Sequence, residues 1–133
     1  MDNCIFCKVI RQEAKSWKVY EDKNVYAFLD IHPASEYHTL IIPKKHYENI
    51  FDIPEKELKQ VISVVKKLVV LYNKKLGIKN VQIINSSGAE AQQDVFHAHF
   101  HIVPRKRGDG QDVKWTTYPE WSEKFDDMLK KLR

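Results

Sequence analysis

Cysteine, glycine and long apolar runs are all scarce in this chain of 133 residues. The only two cysteines, Cys4 and Cys7, exclude a secreted disulfide scaffold. Four glycines, with no stretch rich in Pro, Gly or Ser and no internal repeat, leave nothing that reads as a linker. A single domain over 1–133 is therefore expected. No apolar run approaches the roughly 20 residues of a membrane span, so no membrane partner is expected. The opening MDNCIFCKVIRQE has no basic, apolar and small-residue segments in series, so it does not read as a signal peptide, and a cytoplasmic location is the expectation. Neither a Walker A motif nor Gly-x-Gly-x-x-Gly occurs. Charge of one sign is not in large excess: 22 Lys and Arg against 18 Asp and Glu give +4. The lysines come as scattered pairs, as on solvated faces, and no nucleic-acid partner is expected. The 43% hydrophobic and 30% charged residues are ordinary for a globular chain.

Apolar spacing predicts the elements. Residues 4–12 form a short helix carrying Ile5, Phe6 and Val9. Residues 17–21 and 25–30 are strands around the turn Asp22-Lys23-Asn24. A third strand, 38–42, is stopped by Pro43. The strongest helix signal runs from Pro54 to Leu76, with Glu55 and Glu57 at its positive end and Lys74, Lys75 and Gly77 at the other. Its stripe is Leu58, Val61, Ile62, Val65, Leu68, Val69, Tyr72 and Leu76. Val64 and Leu71 fall outside the stripe; they either widen the core face or meet a second subunit. Residues 80–85 and 95–103 are the fourth and fifth strands, and 119–132 a closing helix. Strands in runs with one long helix predict an α+β domain: a five-stranded antiparallel sheet, one long helix and short terminal helices.

Three of the six histidines lie in one predicted strand, as His97, His99 and His101. Alternation puts them on one face, about 6–7 Å apart along the chain, with Ala98, Phe100 and Ile102 on the other. One imidazole on a sheet is most simply a solvated polar residue; three in strict alternation point to chemistry. They could hold a catalytic zinc with an open position. Alternatively, one could attack phosphorus while its neighbours donate to phosphate oxygens. No Asp or Glu lies within 97–103 to orient ligands, whereas Asn85 to Asp94 supplies amides and hydroxyls suited to oxyanions, which favours the second.

His97-Ala98-His99-Phe100-His101-Ile102-Val103 resembles the His-φ-His-φ-His-φ-φ signature of the histidine triad family, φ being apolar. Phe28-Leu29-Asp30-Ile31-His32-Pro33 is similar to the family's ribose-binding segment, and His38 to His46 to its strand ending in Ile-Pro-Lys. Asn85 and Gln93-Asp94-Val95-Phe96 flank the triad as they do there. These blocks cover about residues 4–105, leaving 106–133 as a carboxy-terminal extension in which Trp115 has no assigned role. The branch resembled is the Hint-like one of nucleotide-binding hydrolases.

The resemblance implies roles. His99 would attack the α-phosphorus of a nucleoside 5′-phosphate derivative, a phosphoramidate or a dinucleoside polyphosphate, and carry the nucleotide covalently. The backbone carbonyl of His97 would hold its other N–H. His101 would bond phosphate oxygens and assist the leaving group, supported by His38. Asp30 would accept from the ribose hydroxyls. Ile5, Phe6, Val9, Phe28, Ile31 and Leu40 would form the slot for a purine base, of adenosine or guanosine. Asn85 and Gln93 would hold the phosphate region. A homodimer is implied, with Val64 and Leu71 as candidate contacts. Two positions depart from the pattern. Gln92 stands where the family usually has Gly, which lets a backbone N–H approach phosphate. Asp94 stands where some relatives place a Ser that meets the leaving group. Both leave open a nucleotide-binding module with little turnover.

Cys4-x-x-Cys7 lacks the preceding strand that a redox pair of the thioredoxin type requires. Zinc needs two further ligands, and His46 and His97 are the available pair. Many bacterial members of the family bind one zinc with residues at these four positions. The resemblance therefore implies a closed structural zinc on Cys4, Cys7, His46 and His97, and no catalytic metal.

Overall fold

The computed structural model describes residues 3–133. Five strands form one antiparallel sheet: β1 (Lys18–Glu21), β2 (Val25–Leu29), β3 (Thr39–Pro43), β4 (Val81–Ile84) and β5 (Phe100–Pro104), in the order β1-β2-β3-β5-β4. The helices are α1 (Ile5–Ile10), α2 (Glu55–Leu76) and α3 (Phe125–Lys131). Short 3₁₀ segments lie at Ala89–Ala91 and Pro119–Lys124. This is the expected α+β architecture.

The sheet is covered on both sides, which explains why β2 and β3 read as nearly continuous apolar runs. Alternation sends Val25, Ala27, Ile41, Phe100 and Ile102 to one face, where Val61, Val64, Val65, Leu68 and Tyr72 of α2 pack on them. The other face carries Tyr26, Phe28, Leu40 and Ile42, against which Phe6 and Val9 of α1 rest. The register sets Phe28 opposite Leu40 and Leu40 opposite His101, so these three stand side by side beneath α1. The α2 face is pinned by a buried hydrogen bond of 2.6 Å between the Thr39 and Tyr72 hydroxyls.

Helix α2 begins one residue later than its apolar pattern, with Pro54 extended as its N-cap. It ends at Gly77, whose φ of +68° admits the left-handed turn that stops a helix. The apolar stripe needs correction. Val64 is only 3% exposed and lies in the core, whereas Ile62 and Leu76 face outward. Val61, Val65, Leu68 and Tyr72 of the predicted stripe are buried together with Val64, and Leu58 and Val69 pack at the margin, so the buried face is turned only part of a position toward Val64. Val64 therefore widens the core face and is unavailable to a second subunit. Leu71, 41% exposed, is available.

The fifth strand is also shorter than its pattern. It begins at Phe100, so His97 and His99 precede the ladder. Pro43 supplies no N–H to extend the pairing, and its carbonyl instead accepts from the ring of His97 at 2.8 Å. The Ala98 N–H turns away to the carbonyl of Tyr47 at 2.7 Å. At the carboxy end, the expected helix over 119–132 divides into the 3₁₀ segment and α3, and residues 111–133 are exposed throughout.

Candidate active site

A cleft of about 320 Å³ opens on the α1 side of the sheet. Its walls include Ile5, Phe6 and Val9 from α1, Phe28 from β2, Leu40 from β3 and Ile31 from the loop between those strands, with Asp30, His99 and His101 among them. The Phe6 ring meets Phe28 edge-on at 5.4 Å and His99 edge-on at 5.2 Å. A larger hollow of about 660 Å³ lies between 76–80 and 104–109, but no histidine lines it.

The backbone settles the tautomer of each imidazole, because a carbonyl only accepts and an amide N–H only donates. His99 is 3% exposed, and its Nδ1 lies 2.8 Å from the His97 carbonyl. Nδ1 must carry the proton, which leaves Nε2 with a free lone pair. On the next ring the order is reversed. The Ala34 N–H donates to His38 Nδ1 at 2.9 Å. His38 Nε2 therefore carries a proton, which it donates to His101 Nδ1 at 2.8 Å. His101 must then present Nε2–H on its far edge. The cleft thus holds an unprotonated ring nitrogen on His99 and a hydrogen-bond donor on His101, with ring centroids 5.0 Å apart.

Burial favours the neutral form of the His101 and His38 rings. It pulls His101 down to about 4, helped by His99 and His38 and opposed by Asp30 and Asp94. Burial also lowers His38, with Asp30 opposing. A carboxylate oxygen of Asp30 stands 3.5 Å from His38 Nε2, while its other oxygen accepts from the His32 N–H at 2.8 Å. His38 does not line the cleft; it stands behind His101.

Asn85 and Gln93 also stand behind the cleft. Asn85 donates to the His99 carbonyl at 2.9 Å and accepts from Ser87, whose hydroxyl in turn accepts from the Ile50 N–H. The Gln93 side chain is buried; it donates to the carbonyls of Glu48 and Val95 and accepts from the Gly88 N–H and Asn49. The Gln93 amide is fully engaged in holding the segment before the triad, and Asn85 ties the His99 carbonyl to Ser87. Gln92 keeps the left-handed backbone that a glycine would adopt, with φ of +71°, and is exposed. Five residues not assigned to binding also line the cleft: Lys15, Ser16, His32, Asp94 and Val95. Lys15 and Ser16 sit in the loop before β1, where no periodicity marks them; Ser16 is fixed by a 2.7 Å hydrogen bond to the Tyr26 hydroxyl.

A second cluster lies at the start of α1. The donor atoms of Cys4, Cys7, His46 and His97 all lie within 4.8 Å of one another. His97 Nε2–H is committed to the Pro43 carbonyl, so its bare Nδ1 faces both sulfurs, 3.5 Å from each. His46 Nδ1 is 3.3 Å from Cys7 Sγ. Two ligands at zinc–sulfur and zinc–nitrogen bond lengths on a tetrahedron stand about 3.5 Å apart, so the four groups fit such an ion. Burial and the adjacent Cys4 push the Cys7 thiol up to about 11, and burial pulls His97 down to about 4. A cation among the four would favour the thiolate and a neutral imidazole. Asp30, His38 and His101 also come within 4.8 Å of one another, but the hydrogen-bond chain described above commits both rings.

A sheet of this order, with alternating imidazoles entering its fifth strand, defines a class of protein. A model of the HIT domain matches residues 11–108. The chain belongs to the histidine triad (HIT) family. It is similar to a HIT family protein from Bacillus anthracis, 35% identical over 98% of this chain and 95% of that one, with a TM-score of 0.90. It is 37% identical over 130 residues to adenosine 5′-monophosphoramidase of Saccharomyces cerevisiae, covering 97% of this chain and 80% of the relative. It also resembles a Zn-bound histidine triad family protein from Mycobacterium smegmatis, 29% identical over 99% of each chain, with a TM-score of 0.79.

Proposed function

We propose that the protein hydrolyses nucleoside 5′-phosphate derivatives, phosphoramidates or dinucleoside polyphosphates, at the α-phosphorus through a nucleotidyl intermediate on His99. One observation carries this: backbone groups fix His99 with a bare Nε2 and His101 with an Nε2–H, side by side in one cleft. A nucleophile next to a donor is what displacement at phosphorus requires. The His99 Nε2 pair forms the bond to phosphorus while the bond to the leaving atom breaks, that atom keeping the electron pair. The positive charge gained by the His99 ring is held through Nδ1–H on the His97 carbonyl. His101 Nε2–H bonds the phosphoryl oxygen or the leaving atom, with His38 behind it. Water then attacks phosphorus and gives up a proton to solvent, while the Nε2–P bond breaks and returns its pair to Nε2, releasing the nucleoside 5′-phosphate. The similarity to the yeast adenosine 5′-monophosphoramidase supports a purine nucleotide. Phe6, Val9, Phe28, Leu40, Ile5 and Ile31 would enclose its base, and Asp30 would accept from the ribose hydroxyls.

Cys4, Cys7, His46 and His97 would hold a structural zinc, as the Zn-bound mycobacterial relative supports. With four protein ligands it would tie α1 to the triad and leave no open position for substrate. A homodimer is supported by β4, an edge strand with Ile83 and Ile84 exposed, and by the exposed Leu71 of α2. Among the described residues no helix is long and apolar enough to cross a membrane; the two free cysteines fit a reducing, cytoplasmic setting.

The test is His99→Ala. Turnover of an adenosine phosphoramidate should be abolished while AMP binding changes little. A rate within about threefold of wild type, under ~0.7 kcal/mol of barrier, removes His99 as the nucleophile.

A further inference from the structure

The hydrolytic steps above use neither sulfur of the chain, yet both cysteines stand against the cleft. Cys4 is the N-cap of α1 and Cys7 lies in its first turn, with the Cys7 N–H donating to Cys4 Sγ at 3.4 Å. The two sulfurs are within 4.8 Å of each other, and each is 3.5 Å from the same nitrogen, His97 Nδ1. A disulfide needs about 2 Å between its sulfurs, so a shift of under about 3 Å closes it. Cys4 is half-buried and lines a shallow hollow of about 310 Å³ beside Asp94, Val95 and Phe96. Cys7 is buried, 8% exposed. One sulfur is therefore within reach of a small reagent, and the other stands beside it, placed to pair with it.

The two residues between the cysteines, Ile5 and Phe6, are walls of the cleft. The Phe6 ring meets Phe28, His99 and His97 edge-on, at 5.4, 5.2 and 6.0 Å. A bond from Cys4 to Cys7 spans these two residues. It also removes two of the four groups that bring α1 against His46 and His97. A helix of six residues does not hold its place without such a tie. Resting on the zinc and nucleotide readings above, we propose that Cys4 and Cys7 are a modification site for hydroperoxides: oxidation to an intrachain disulfide ejects the metal, frees α1 and lowers nucleotide affinity. The Cys4 thiolate attacks one oxygen of hydrogen peroxide. The O–O bond breaks and hydroxide leaves, giving the Cys4 sulfenic acid. The Cys7 thiolate then attacks that sulfur, the S–O bond breaks, and a second hydroxide leaves. Each sulfur has given up one electron, the peroxide has taken both, and the two hydroxides balance the divalent cation released. His46 and His97 remain, two donors where a closed zinc site needs four. A dithiol reverses the bond, so the change is a switch.

The experiment treats the full chain, as purified with its zinc, with a small excess of hydrogen peroxide. Released zinc is read with a chromogenic chelator, the cysteines by peptide mass, α1 by amide hydrogen exchange, and the cleft by AMP titration. About one equivalent of zinc should appear as the peptide carrying both cysteines loses about 2 Da. Amide exchange over α1 and the AMP dissociation constant should each rise about tenfold. Dithiothreitol with added zinc should restore all four. Cysteines that go to sulfinic acid without pairing, or exchange and affinity that move less than about threefold, overturn the proposal. Cys4→Ser and Cys7→Ser should each leave AMP affinity indifferent to peroxide; a response that persists in both overturns it as well. Zinc absent before any oxidant is added defeats the zinc reading and the switch with it, whereas zinc that stays bound under peroxide defeats the switch alone. Wild type that binds no AMP defeats the nucleotide reading, and zinc release with amide exchange still decides the switch.

Discussion

A histidine has two nitrogens and no built-in preference between them, so its chemistry is decided by what each edge touches. In this protein those partners are backbone atoms: the His97 carbonyl for His99, and the Ala34 amide, through His38, for His101. Neither partner belongs to a signature side chain. The alternation of the triad is plain in the sequence, but the opposite tautomers of His99 and His101 depend on loop geometry around Ala34 that no spacing encodes. Asn85 and Gln93 show the same limit. Their amides suit phosphate, and only the packing reveals that they are occupied with carbonyls and amides of their own chain. Burial of neutral imidazoles also has a consequence for stability. The folded chain holds His101 at about 4, below the ordinary 6.5 of an unfolded chain. The unfolded state therefore binds the proton first, and stability falls as pH drops from about 6.5 toward 4. Between pH 7.5 and 5 the His101 contribution amounts to about 2 kcal/mol. Denaturant titrations at the two pH values should show that loss, and it should shrink by a comparable amount in His101→Asn; an equal loss in both proteins would contradict it.

Elements whose faces bury one stripe were legible, and those that end on a side-chain contact were not. The 22 residues of α2 carry apolar positions at 3-and-4 spacing and end on Gly77. The pattern placed the helix correctly but rotated its buried face, because a helix this apolar presents two overlapping stripes, and only the sheet beneath decides for Val64 over Ile62. Strand β5 shows the opposite problem. Its alternation continues upstream through His99 and His97, yet the ladder stops at Phe100, where Pro43 has no N–H to give and His97 has claimed its carbonyl. The shortening frees the His97 ring for the cysteine pair while its carbonyl still holds His99. The stop of α2 can be tested by Gly77→Ala. A Cβ at Gly77 would meet nothing within 4 Å, so the cost is that of the left-handed backbone alone, about 1 kcal/mol. A urea midpoint lowered accordingly, with turnover unaffected, is the expected result; an unchanged midpoint would mean that the left-handed turn does not contribute to stability.

Across the whole molecule, the sheet divides two tasks between its faces. The α2 side is a closed apolar core, and the α1 side is an open cleft whose floor is Phe28, Leu40 and His101. Helix α1 has six residues, too few to be stable alone. The four-ligand cluster at its start offers the anchor, joining Cys4 and Cys7 to His46 and His97. Purified protein should accordingly carry one equivalent of zinc, and chelation should lower its melting temperature by several degrees. Cys4→Ser should hold less than half an equivalent and lose the sensitivity to chelator. Wild-type protein without zinc, or with a melting point indifferent to chelator, would contradict the anchor. The central claim is covalent, and it is tested most directly by catching the intermediate. Acid-quenched turnover of a labelled adenosine phosphoramidate, followed by peptide mass analysis, should place one adenylyl group on His99 and none after His99→Ala. Label absent under burst conditions, or found on His101, would contradict the account.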